Sequence, residues 1–157
     1  MDDSSKGKEL GVEFLVGVET EFILLKSTDP VQAVNDGPWS ASRALLTGSV
    51  AEKCLENIVT GLQYGGIDLL MYHSEAAPGQ VRNHALPARV RLTYISIVQY
   101  EIITGPLPPL EAADALVFTR ETIVNIAANH GLHATFSPRV YSDSCNPSAF
   151  LFLRTNC

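Results

Sequence analysis

The stretch Gly11-Val-Glu-Phe-Leu-Val-Gly-Val-Glu-Thr-Glu-Phe-Ile-Leu-Leu-Lys26 is rich in Val, Phe, Ile and Leu, which predicts a strand or a pair of strands. Glu19 and Glu21 are two apart within it. On a strand they share one face, about 6–7 Å apart along the chain. Their neighbours Val18, Phe22, Ile23 and Leu24 are apolar. Two like charges in such a run repel, and desolvation adds to the penalty, unless water, a cation or a basic partner compensates. A hard divalent ion such as Mg²⁺ or Mn²⁺ would use carboxylates in this arrangement. The competing reading is an edge strand with a solvated acidic face.

Outward from this run, Ser27 to Thr47 holds Asp-Pro, Asn-Asp-Gly-Pro and several Ser and predicts a loop. Ser49 is placed to cap a helix, with Glu52 at the capping-box spacing. Val50, Cys54, Ile58 and Leu62 then fall on one face, and Gly65-Gly66 ends the helix. Ile67 to Glu75 is strand-like and meets the breaker Pro78-Gly79. A second helix opens near Leu110 after Pro108-Pro109. Its expected buried stripe is Ala113, Leu116, Val117, Val124 and Ala127, with Gly131 as the C′ residue. Leu132 to Phe136 gives another strand. Strands interleaved with two amphipathic helices predict an α+β fold, with the helices packed on a mostly antiparallel sheet.

His73 and Glu75 again share a strand face, followed by Ala-Ala-Pro-Gly-Gln. Taken alone, His73 reads more readily as a satisfied polar residue than as a ligand. His84, His130 and His133 show no ligand spacing with it.

The chain has 157 residues, 46% hydrophobic and 18% charged, a globular composition of single-domain length. The net charge of −6 argues against a nucleic-acid surface, which needs clustered Lys and Arg. No apolar run approaches the ~18 residues of a membrane span. Cys54, Cys145 and Cys157 are odd in number and lack CxxC spacing, favouring a reducing, cytoplasmic setting over a disulfide framework.

Together the two acidic motifs are specific. Gly17-Val-Glu19-Thr-Glu21-Phe22 resembles the G-x-E-x-E-F strand of the glutamine synthetase family. His73-Ser-Glu75-Ala-Ala-Pro-Gly79-Gln80 resembles its H-x-E-x-x-P-G-Q segment. Leu110-Glu-Ala-Ala-Asp114 and His130-Gly-Leu-His-Ala-Thr-Phe136-Ser-Pro138 are similar, in order, to the helix and strand that follow. The likeness spans nearly all of residues 11–145 and is greatest to a branch fused, in some fungal proteins, to an amidohydrolase-like domain. The resemblance implies the first part of a catalytic domain that uses ATP, with Mg²⁺ or Mn²⁺, to join ammonia to glutamate through γ-glutamyl phosphate, in a homo-oligomer. Carried over by position, Glu21 and Glu75 resemble ligands of one ion, and Glu19 resembles a ligand of a second.

The third ligand of the first ion is the Glu of the family's G-Q-x-E continuation, but Val81 follows Gln80. Tyr100-Glu101-Ile-Ile-Thr-Gly-Pro-Leu107 supplies that continuation once residues 81–99 are removed, which places Glu101 in the ligand position. Residues 81–99 are thus expected to be a translated intron or insertion, since Val and Gln codons can supply GT and AG edges. Residues 146–157 depart from the family pattern and are expected to be an aberrant tail, and residues 1–10 a polar N-terminal segment. The family's histidine ligand of the second ion, its later arginines and its flap glutamate find no counterpart, so this polypeptide is expected to be truncated and without synthetase activity. Two alternatives remain open: a γ-glutamyl ligase acting on another amine, and a non-catalytic regulatory protein or gene-model remnant.

Overall fold

The run that predicts a strand forms one long strand, β1 (Glu13–Thr28), along which the rest of the sheet is assembled. In a computed structural model the described residues are 7, 10–35, 45–76 and 98–137, together with the backbone of 151–156. Beyond β1 the elements are β2 (Val31–Ala33), α1 (Val50–Tyr64), β3 (Leu69–Ala76), β4 (Val98–Thr104), α2 (Pro109–Asn129), β5 (His133–Thr135) and β6 (Leu151–Asn156).

Among the described residues every strand pairing is antiparallel. β1 pairs with β6 through Glu13–Val18, with β4 through Glu19–Phe22, with β5 through Ile23–Leu25 and with β2 through Leu25–Thr28. β3 lies outside β4, giving the order β2-β1-β4-β3. This is the expected α+β architecture. The short β2 falls within the stretch predicted as loop, where only three residues pair against the end of β1. Such a brief edge strand carries too little alternation to be read from sequence.

Alternation along β1 separates two environments. Thr20, Phe22 and Leu24 point into the main core with Tyr100 and Ile102 of β4, beneath Cys54, Leu55, Ile58 and Leu62 of α1 and Ile123 and Ala127 of α2. Ile23 and Leu25 point to the other face and are covered by Val31 and Ala33. Glu19 and Glu21 lie on that second face and are half-buried.

Local signals set the helix ends. The Ser49 hydroxyl accepts from Glu52 N–H at 3.1 Å, while the Glu52 carboxylate accepts from Gly48 N–H, which satisfies two donors at the start of α1. The C-terminus closes with Gly66 N–H on the Gln63 carbonyl and Ile67 N–H on the Leu62 carbonyl. This Schellman pairing needs the left-handed backbone of Gly66, φ 78°. Gly131, φ 68°, does the same for α2.

The expected stripe of α2 requires correction. The helix buries Ala112, Ala115, Thr119, Ile123 and Ala127, and leaves Val117 and Val124 exposed. Of the predicted set Ala127 is buried, Leu116 is half-buried and Ala113 is exposed. Small residues at spacings of three and four let the helix axis approach the sheet closely, and close approach outweighs the greater hydrophobicity of the opposite face. On α1, Cys54, Ile58 and Leu62 are buried as expected, but Ala51 is buried where Val50 is exposed.

Residues 81–97 and 146–150, from the two segments expected to be aberrant, lie outside the described residues. Val98 and Gln99 begin β4, and the backbone of 151–156 forms β6.

Candidate metal centre

Three strands bring the acidic motifs together. In the β1–β4 ladder Glu21 stands opposite Glu101, and Glu19 stands opposite Ile103. In the β3–β4 ladder His73 stands opposite Glu101, and Glu75 opposite Gln99. Glu21, Glu101 and His73 therefore form one line across the sheet. Glu75 and Gln99 occupy the next row on one side, and Glu19 the next on the other. With period-two alternation these side chains all lie on the face away from the helices.

His73 Nε2 lies 3.0 Å from Glu75 Oε2 and 3.2 Å from Glu101 Oε2. The ligand atoms of His73, Glu75 and Glu101 all fall within 4.8 Å of one another. Glu101 is the most enclosed of the acids, at 6% exposure. Of the residues expected to be metal ligands, Glu75 and Glu101 thus meet in one group. Glu21 is adjacent across the ladder, and Glu19 is one row removed. Sequence reasoning passed over His73 and Gln99. The first was legible in its i, i+2 relation to Glu75. The second carried no signal, because it falls in the segment read as inserted.

The electrostatics of the face are repulsive. Burial, followed by repulsion from Glu19, pushes the Glu101 carboxyl up to about 7; His73 opposes this, while Glu21 and Glu75 add to it. Burial also raises Glu21, and the Glu75 and Glu19 charges push it further. The charges that act on Glu101 are thus three carboxylates and one imidazole. Polar atoms are left over as well. Glu21 Oε2, His73 Nδ1 and Gln99 Oε1 are buried with no hydrogen-bond partner among the described residues. A divalent cation answers the charge deficit and offers a partner to an orphaned carboxylate oxygen: it neutralises the acids and takes up oxygen lone pairs. The residues present fit such an ion.

Comparison with known proteins gives relatives of one family. The family described as glutamine synthetase, catalytic domain, matches residues 84–149, which include Glu101. Protein fluG of Emericella nidulans is 31% identical over 147 residues, covering 90% of this chain and 15% of that protein. A γ-glutamylpolyamine synthetase of Streptomyces coelicolor is 26% identical over 147 residues, covering 91% and 27%. The glutamine synthetase of Methanocaldococcus jannaschii is 31% identical over 139 residues, covering 85% and 26%. Among solved structures, a GmaS/ADP complex superposes with a TM-score of 0.68 at 17% identity, over 97% of this chain and 31% of that one. A novel glutamine synthase homolog gives 0.65 at 20% identity, over 98% and 30%. The chain thus spans between 15% and 27% of the length of these curated relatives. Strand order, acidic face and sequence likeness converge: the chain belongs to the glutamine synthetase family and carries part of its catalytic domain.

Proposed function

We propose that the open face of β1, β4 and β3 is the cation-binding part of an ATP-dependent carboxylate–amine ligase, with Glu21, Glu75 and Glu101 holding one Mg²⁺ or Mn²⁺ ion. Glu19, one row away, serves a second. The observation that carries this reading is the line Glu21–Glu101–His73 with Glu75 beside it, where burial and neighbouring carboxylates oppose the ionisation of Glu21 and Glu101. When bound, the ion supplies positive charge that neutralises phosphate oxygens during phosphoryl transfer. The protein's own residues fix the carboxylates on paired strands, so little reorganisation is needed as charge develops. The sheet core beneath them keeps water from one side of the face.

In the assembled enzyme of this type the reaction is ligation of ammonia to glutamate through γ-glutamyl phosphate, in a soluble, cytoplasmic homo-oligomer. Residues 11–145 form the domain portion, with 81–99 inserted and 146–157 a divergent tail. The 157-residue polypeptide by itself brings carboxylates and an imidazole to this face, and we expect no turnover from it. Ligation of a larger amine is a second reading, favoured by the likeness to the γ-glutamylpolyamine synthetase.

Calorimetric titration with Mn²⁺ tests the cation role. Wild-type protein is expected to bind, and Glu21→Ala to bind at least tenfold more weakly. Identical isotherms would remove Glu21 from the site. ATP- and ammonia-dependent glutamine formation by the purified chain would overturn the expected inactivity.

A further inference from the structure

His73 was read from sequence as a polar neighbour of the acids, yet its geometry is that of a ligand. Its Nε2 sits 3.0 and 3.2 Å from oxygens of Glu75 and Glu101. Donors at right angles around an ion with bonds of about 2.1 Å are separated by about 3.0 Å, so these spacings match ligand-to-ligand edges. The same ring leaves Nδ1 buried and without a partner among the described residues. Neutral or protonated, the imidazole is not satisfied by those residues alone.

A second observation is independent of the ring. Gln99 is 1% exposed, stands opposite Glu75 in register and shares the sheet face of Glu101. Its Oε1 has no partner among the described residues. Burial without a partner costs free energy, and a bound ion, or water carried by one, supplies what this oxygen lacks.

We propose that His73 is a direct ligand, adding one imidazole to the carboxylates of Glu21, Glu75 and Glu101, so that the ion site prefers Mn²⁺, Co²⁺ and Zn²⁺ over Mg²⁺. Imidazole nitrogen suits Co²⁺ and Zn²⁺ best and is accepted by Mn²⁺, whereas Mg²⁺ favours oxygen donors and holds its water. The inference rests on the cation role proposed above and sharpens it, since carboxylates alone would give no such selectivity.

Pulsed electron paramagnetic resonance of the Mn²⁺-loaded full chain reads ligation directly. Wild type is expected to show ¹⁴N modulation from a bound imidazole, lost in His73→Gln and in His73→Asn. In competition titrations with the metals alone, Zn²⁺ and Mn²⁺ should bind at least tenfold more tightly than Mg²⁺, with the ratio falling about tenfold in either variant. Absence of nitrogen modulation in wild type overturns the proposal without needing a variant that folds. Retained Mn²⁺ binding in that case leaves the carboxylate site standing. Failure of every divalent ion to bind overturns both readings together.

Discussion

Glu21 and Glu101 stand directly opposite each other on β1 and β4, two carboxylates on one sheet face with Glu101 almost fully buried. Like charges in this relation destabilise a ladder, by about 0.2–1 kcal/mol per pair even at partly exposed positions. The fold accepts the cost between the two inner strands of the β2-β1-β4-β3 order. This is the pattern expected where function, not stability, chose the residue types.

Removing one charge should therefore help the fold while harming the site. Without divalent ions at pH 8, Glu101→Gln is expected to melt about 2–4 °C higher than wild type, corresponding to ~1 kcal/mol for a chain of this size. The same variant should lose the rise in melting temperature that Mn²⁺ gives the wild type. A lower melting temperature would instead mean that the Glu101 contact with His73 holds the fold together.

The pH dependence has a definite sign. The Glu101 carboxyl is raised to about 7, and Glu21 is raised as well. Between an unfolded value near 4.5 and about 7 the folded state holds more protons than the unfolded one, so stability falls as pH rises through that window. Thermal melts in chelator should decline from pH 5 to pH 7.5, and saturating Mn²⁺ should flatten the decline by favouring the ionised acids. A rising profile in chelator would contradict the repulsive cluster.

At the start of α1, Ser49→Ala removes the acceptor for Glu52 N–H. Loss of an N-cap of this type costs ~1 kcal/mol. Urea unfolding should show a lower midpoint with unchanged slope. Ser49→Asp, which retains an acceptor and a favourable charge at the helix start, should restore most of the loss. Equal stability of Ser49→Ala and wild type would show that the cap contributes nothing.

The features legible in the sequence were local ones. Ser49 with Glu52, and Gly66 and Gly131 after their helices, are decided within a few residues, and they bound α1 and α2 where expected. β1 was legible from its Val, Ile and Phe content, and the shared face of Glu19 and Glu21 from strand geometry. The meeting of those acids with Glu75 and Glu101 depends on register between strands far apart in sequence, which composition does not encode. Family likeness supplied that expectation, and the β1–β4–β3 ladders show the alignment. The buried face of α2 was misread for a different reason. Hydrophobicity ranks Val117 and Val124 above Ala115 and Thr119, but depth in the fold is set by how closely a helix can approach the sheet.

That distinction yields a test between adjacent positions. Ile123 is fully buried against the sheet, whereas its neighbour Val124 is 42% exposed. Ile123→Ala empties a packed position and should cost about 2–5 kcal/mol, enough to lower the urea midpoint sharply. Val124→Ala removes partly solvated surface and trades a β-branched residue for a better helix former, so its effect should stay within about 0.5 kcal/mol. Ala115→Leu, on the same buried face as Ile123, should destabilise by about 1–3 kcal/mol through overpacking. If Val124→Ala proved the costly change and Ile123→Ala the neutral one, α2 would be rotated about its axis. The stripe expected from hydrophobicity alone would then be the one that faces the core.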